Sequence, residues 1–133
     1  MGEPQPLTDL QLAILRVLWD RGSASAAEIT DALRATRGLA QQTIATVLSR
    51  LERRGIVRHE TRQRQYIYTA MVSEPDVRRT MLAELTERVF DGDVAALVSQ
   101  LLSAREMSPG DLARVKALIA AHGATRGSAH DKS

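Results

Sequence analysis

Gln41, Gln42, Ala45, Thr46, Ser49, Arg50 and Arg53 share one side of a helical repeat whose other side is Ile44, Val47, Leu48 and Leu51. The i, i+3, i+4, i+7 spacing of the aliphatic set marks a buried stripe. A solvated face ordinarily mixes Glu and Lys into i,i+4 pairs, but here the polar side holds amides, hydroxyls and guanidinium groups, with Glu52 its only acid. Gln, Thr and Ser can bond base edges, Ala can touch a thymine methyl, and Arg can hold guanine or phosphate. That is the chemistry of reading a nucleic acid.

Charge supports the same direction. The 133 residues carry a net charge of +2, yet residues 34–64 hold eight arginines (Arg34, Arg37, Arg50, Arg53, Arg54, Arg58, Arg62, Arg64) against Glu52 and Glu60. A local basic stretch in a nearly neutral chain is an electrostatic footprint for a polyanion. On charge alone, a solvated Arg-rich surface fits equally well.

Catalytic and metal chemistry find little to work with. His59, His122 and His130 are scattered without i,i+4 partners, so no metal ligand set is expected. His59 is expected to be a wing or phosphate-facing residue. No nucleophile elbow or phosphate loop occurs, and Asp91 and Asp93 read as a helix stop followed by a helix cap. No catalytic residue, cofactor or small-molecule substrate is expected. Absence of cysteine excludes disulfides and thiolate sites and fits a reducing cytoplasm. No apolar run reaches membrane-spanning length, and the opening MGEPQPLTD lacks the apolar core of a signal peptide.

The elements that position these groups follow from caps and periodicity. Thr8 with Gln11 forms a capping box, Leu7 and Leu12 a hydrophobic staple, and Leu10, Ile14, Val17 and Leu18 the stripe of a first helix stopped by Gly22. Ser25 with Glu28 opens a second helix carrying Ile29, Ala32 and Leu33, closing near Gly38. The third helix spans about Leu39 to Arg54 and stops at Gly55, with Arg53 and Arg54 suiting its negative end. IVRHE and QYIYTA, separated by TRQR, then read as a two-stranded hairpin. Three helices followed by a hairpin is the order of a winged helix-turn-helix.

Beyond Ser73 the pattern is helical again. Ser73-Glu74-Pro75-Asp76 opens a helix with Val77, Met81, Leu82, Leu85 and Val89. Asp93 caps a second helix holding Leu97, Val98, Leu101 and Leu102, and Ser108 starts a third that Gly123 should stop. The expected fold is therefore mainly α: a winged module over 7–71, a C-terminal three-helix dimerisation lobe over 73–123, and a disordered tail over 124–133. Aromatics make up only 3% of the chain, and three short helices with heavily apolar faces bury little alone. Met81, Leu82, Leu85, Val89, Leu97, Val98, Leu101 and Leu102 are accordingly expected to form an interface with a second copy about a two-fold axis.

The runs LAILRVLWDRGSASAAEITDAL, TIATVLSRLERRGIVRHE and RQYIYTA, with Leu18-Trp19, Thr43–Val47, Arg50-Leu51 and Arg54-Gly55 as the most specific marks, resemble the BlaI/MecI penicillinase-repressor family over residues 7–123. The resemblance implies a homodimer that binds an inverted-repeat operator in double-stranded DNA and blocks transcription. It matches Thr43, Thr46, Ser49 and Arg50 to DNA-contacting positions; Gln42 and Ala45 stand where staphylococcal members carry basic residues. It also implies release by a membrane sensor-protease answering β-lactam, with Gln100-Leu101 at the position of the family's Asn-Phe cleavage bond. The copper-responsive branch needs a cysteine cluster and is excluded. Arg62 and Arg64 complete the DNA-binding set from the hairpin turn. The rival reading is an RNA-binding or protein-interaction adaptor on the same winged fold.

Overall fold

The computed structural model describes residues 6–103 and 107–131, with side chains described as far as residue 123. The elements run α1 (Asp9–Arg21), β1 (Ala24–Ser25), α2 (Ala26–Leu33), α3 (Gln41–Arg53), β2 (Val57–Arg62), β3 (Gln65–Ala70), α4 (Glu74–Phe90), α5 (Val94–Ser103) and α6 (Pro109–Asp131). The chain divides into two compact units, residues 1–82 and 83–133.

In the first unit, caps set the helix starts. Thr8 accepts from the Gln11 N–H while the Gln11 side chain accepts from the Thr8 N–H, and Ser25 and Glu28 repeat the exchange at α2. Each box satisfies two backbone donors that a helix start leaves without partners. The Ser25 backbone bond, then its hydroxyl, hold the Glu28 carboxyl below the usual carboxylate range. That support for α2 is present above the ordinary Glu range and is lost as pH falls through the lowered value. Between α1 and α2, Ala24 and Ser25 pair with Tyr68 and Ile67 as a third strand, giving an antiparallel sheet of order β1-β3-β2. Two residues are too short to show alternation, so this strand left no trace in the sequence pattern.

Ile14, Leu15, Leu18, Ile29, Ile44, Leu48, Leu51 and Val57 are the largest fully buried side chains. They come from α1, α2, α3 and β2, so the stripe of α3 packs inward and its polar side is left outward. Trp19 packs on the edge of this core, its indole N–H donating to the Val72 carbonyl at 2.9 Å. That bond ties the chain leaving β3 to α1.

At the end of α3 the Gly55 N–H donates to the Glu52 carbonyl and the Ile56 N–H to the Leu51 carbonyl, both at 3.0 Å. This is the Schellman pattern, and Gly55 takes the positive φ of 75° that it requires. The glycine thus turns α3 towards β2, with only Arg54, Gly55 and Ile56 between helix and hairpin.

The second unit starts within α4. Asp93 accepts from the Ala96 N–H at 3.0 Å to cap α5, and Ser108 caps α6 through the Asp111 N–H at 3.1 Å. Thr86 and Leu97 are buried there.

Several expectations need correction. Helix α2 ends at Leu33, five residues before Gly38, and α3 starts at Gln41 rather than Leu39. Gly123 does not stop α6, whose backbone stays helical to Asp131. A glycine ends a helix only where the chain turns into positive φ, and Gly123 is absent from that set while Gly22, Gly55 and Gly92 are in it. The expected disordered tail is therefore helical over 124–131; residues 132 and 133 lie outside the described residues, as do residues 1–5 of the opening stretch.

A candidate nucleic-acid interface on α3 and the wing

Gln41, Gln42, Thr43, Thr46, Ser49, Arg50 and Arg53 are all exposed along α3. Ala45 departs from the expectation. It is half-buried and, with Gln41, lines a groove of about 270 Å³ whose other wall includes Arg64, Gln65, Tyr66 and Tyr68. The residue capping α3, Ala40, offers no side-chain cap, so the leading N–H groups of the helix stay available at the end that carries Gln41 and Gln42. Thr46 donates its hydroxyl hydrogen to the Gln42 carbonyl at 3.0 Å, which leaves its oxygen as an acceptor.

The hairpin register runs from Val57↔Ala70 to Arg62↔Gln65, so the strands reach further than IVRHE suggests and the turn is only Gln63-Arg64. Both turn residues have positive φ, 50° and 67°. That is the two-residue I′ geometry, normally filled by Asn-Gly. Without a glycine signal the tightness of the turn was not legible. Arg62 pairs with Glu60. Among the described residues, Arg50, Arg53, Arg58 and Arg64 have no ion pair or side-chain hydrogen bond within the chain. Guanidinium groups left without carboxylates, on a helix face and the adjoining wing, offer five donors each to an external anion.

One cluster was missed. His59 does not face outward to phosphate: its ring lies against Glu52 and stacks on Tyr66, with centroids 4.0 Å apart. Glu52 is thereby drawn towards β2, off the free polar side of α3. Burial, then Glu52, then Tyr66 push the Tyr68 hydroxyl up from its ordinary value. A His-Tyr ladder across two strands was visible only once the register was known. Among the described residues, no group of His, Asp and Glu is arranged to hold a metal, and no helix is long and apolar enough to cross a membrane.

Removal of the wing cations should show how they act. Arg62→Ala combined with Arg64→Asn, the latter because Asn tolerates the positive φ, should weaken DNA binding irrespective of sequence. The slope of log affinity on log salt should flatten by about one to two units, roughly one per lost phosphate contact. Filter binding across a salt series measures it; an unchanged slope would remove Arg62 and Arg64 from the phosphate-contacting set.

An exposed helix with free hydrogen-bonding and cationic groups, joined through Gly55 to an Arg-bearing hairpin, defines a winged-helix DNA-binding regulator. The penicillinase repressor profile matches residues 7–121, and the chain belongs to that family of transcriptional repressors. The penicillinase repressor of Bacillus licheniformis is 23% identical over 116 residues, covering 87% of this chain and 91% of that one. The solution structure of the DNA-binding domain of the repressor BlaI is similar with a TM-score of 0.49 and 29% identity, covering 57% of this chain and 93% of that one. The monomeric form of Bacillus licheniformis BlaI, solved in complex with the blaP half-operator, gives 0.47 and 32%, covering 55% and 88%.

Proposed function

We propose that the chain is a cytoplasmic repressor that binds an inverted-repeat operator as a homodimer, each copy placing α3 in the major groove with its wing along the backbone. The observation that carries the reading is the set of arginines without a partner among the described residues, Arg50 and Arg53 on α3 with Arg58 and Arg64 on the hairpin, beside exposed Gln41, Gln42, Thr43, Thr46 and Ser49. A helix face of this composition supplies base-edge donors and acceptors, and the cations supply the phosphate contacts that fix its register.

Dimerisation is supported by the apolar surface of the second unit. Leu85, Val89, Val98, Leu101, Leu102, Leu118 and Ile119 are exposed in the single chain, a density of aliphatic surface that monomers avoid. A second copy related by a two-fold axis covers it and brings two recognition helices to adjacent half-sites. Leu97 is already buried within its own unit and Met81 is half-buried, so the interface rests on the remaining residues. Release follows from loss of that pairing. Gln100 and Leu101 are exposed on α5, and a cut between them by a membrane sensor-protease would separate the end of α5 and α6 from the wing-bearing part of the chain.

Arg50→Ala tests the recognition face. Its side chain has no bonding partner among the described residues, so stability should stay within about 0.5 kcal/mol, while affinity for a duplex selected from a random-sequence pool should fall by about 1–3 kcal/mol. Fluorescence titration of that duplex against wild type and variant decides it. Equal affinities would take Arg50 out of the interface, and equal binding to RNA of the same sequence would favour an RNA-binding adaptor.

A further inference from the structure

Glu52 is the one acid on α3, on a helix whose exposed side is otherwise neutral or cationic. Its carboxylate is held by β2 in two ways. The His59 backbone N–H donates to Oε2 at 3.2 Å, and His59 Nδ1 lies 2.8 and 2.7 Å from the two carboxylate oxygens. A carboxylate only accepts, so Nδ1 carries the hydrogen in the neutral ring and Nε2 is the atom that takes up a further proton. The imidazole ring itself stacks on Tyr66 of β3 at 20° between planes, and Tyr68 lies tilted against it with centroids 5.6 Å apart. The groups facing His59 are therefore Glu52 from α3 and Tyr66 and Tyr68 from β3. Its strand neighbours Arg58 and Glu60 alternate to the opposite side of the hairpin.

The chain Glu52–His59–Tyr66 joins the last turn of α3 to both strands of the wing. Glu52 and His59 are only about a third exposed, at 33% and 29% of their side chains. Neither residue belongs to the buried aliphatic core, which includes Leu48, Leu51 and Val57.

We propose that Glu52 and His59 are positioning residues for DNA binding, fixing the wing against the recognition helix and linking operator affinity to proton uptake at His59. The inference rests on the DNA-binding reading above. With a neutral ring the pair carries one negative charge into a field of phosphates; with a protonated ring it carries none, and the neutral hydrogen bond becomes an ion pair. DNA therefore favours the protonated pair, and affinity is higher at pH 6 than at pH 8.

The test measures affinity of the full-length protein for its pool-selected duplex at pH 8 and pH 6, at constant ionic strength. Wild type should bind about three- to tenfold more tightly at pH 6, the scale of one screened charge among several phosphates. His59→Gln keeps an N–H donor for Glu52 but cannot charge. It should match wild type within about twofold at pH 8 and lose the gain at pH 6. His59→Phe keeps the stack on Tyr66 and frees the Glu52 side chain from the wing. It should bind about five- to tenfold more weakly at both pH values, the range of a broken contact pair, with a thermal midpoint near wild type. A purely structural role would move the midpoint and leave the affinity of folded protein alone. Retention of the full pH gain by His59→Gln, or wild-type affinity of folded His59→Phe, overturns the inference while wild-type binding at pH 8 leaves the DNA-binding reading standing. A wild type that binds no duplex overturns both.

Discussion

Leu101→Asp should convert the protein to a monomer and lower its affinity for an inverted-repeat duplex by about 100-fold or more, the scale on which linked half-site binding exceeds single-site binding. The effect discriminates because Leu101 is 52% exposed in the single chain. At a surface position, the exchange would change stability by about 0.5 kcal/mol or less. Across a two-fold interface, it would bury two carboxylates without partners, at several kcal/mol if they stayed ionised. The winged unit lies in residues 1–82 and should keep its helical signal. Sedimentation of both proteins at micromolar concentration, with circular dichroism as the folding control, reads the result. A variant that stays dimeric would move the interface away from α5.

Leu48→Ala should be strongly destabilising to the winged unit. Leu48 is fully buried on the inner side of α3, among Ile14, Leu15, Leu18, Ile44 and Leu51. Truncating a buried leucine to alanine costs about 2–5 kcal/mol, combining lost transfer energy with an unfilled cavity. For a small domain stable by about 5–15 kcal/mol, that is a large share. The thermal midpoint should fall by roughly 10 °C or more, whereas Arg50→Ala on the opposite side of the same helix should leave it nearly unchanged. Paired melting curves make the comparison, and similar midpoints would contradict the division of α3 into a packing side and a reading side.

That division was legible in the sequence because a helix has one period and α3 uses it cleanly: Ile44, Leu48 and Leu51 are buried and Gln42, Thr46, Ser49 and Arg53 exposed. Caps written as S/T-x-x-E/Q were legible for the same reason, since both partners of each bond are local. What escaped depends on register and tertiary approach. Ala45 belongs to the polar arc by helical angle, yet the hairpin folds over it and half-buries it beside Tyr66 and Tyr68. Strand β1 needs a partner more than forty residues away. His59 reads as an isolated wing residue until Gly55 folds β2 back and places it on Glu52. The helical course of 124–131 was hidden by Gly123 and by a polar composition that carries no apolar period.

Two copies are expected to read DNA together, each through α3 and its wing. The most direct measurement is the mass of the complex on the pool-selected duplex, by analytical ultracentrifugation, with the selected sequence read alongside. Two chains per duplex are expected, on a selected site with two-fold symmetry whose half-sites are centred about one helical turn, ~34 Å, apart. One chain per duplex on a site without symmetry would contradict it.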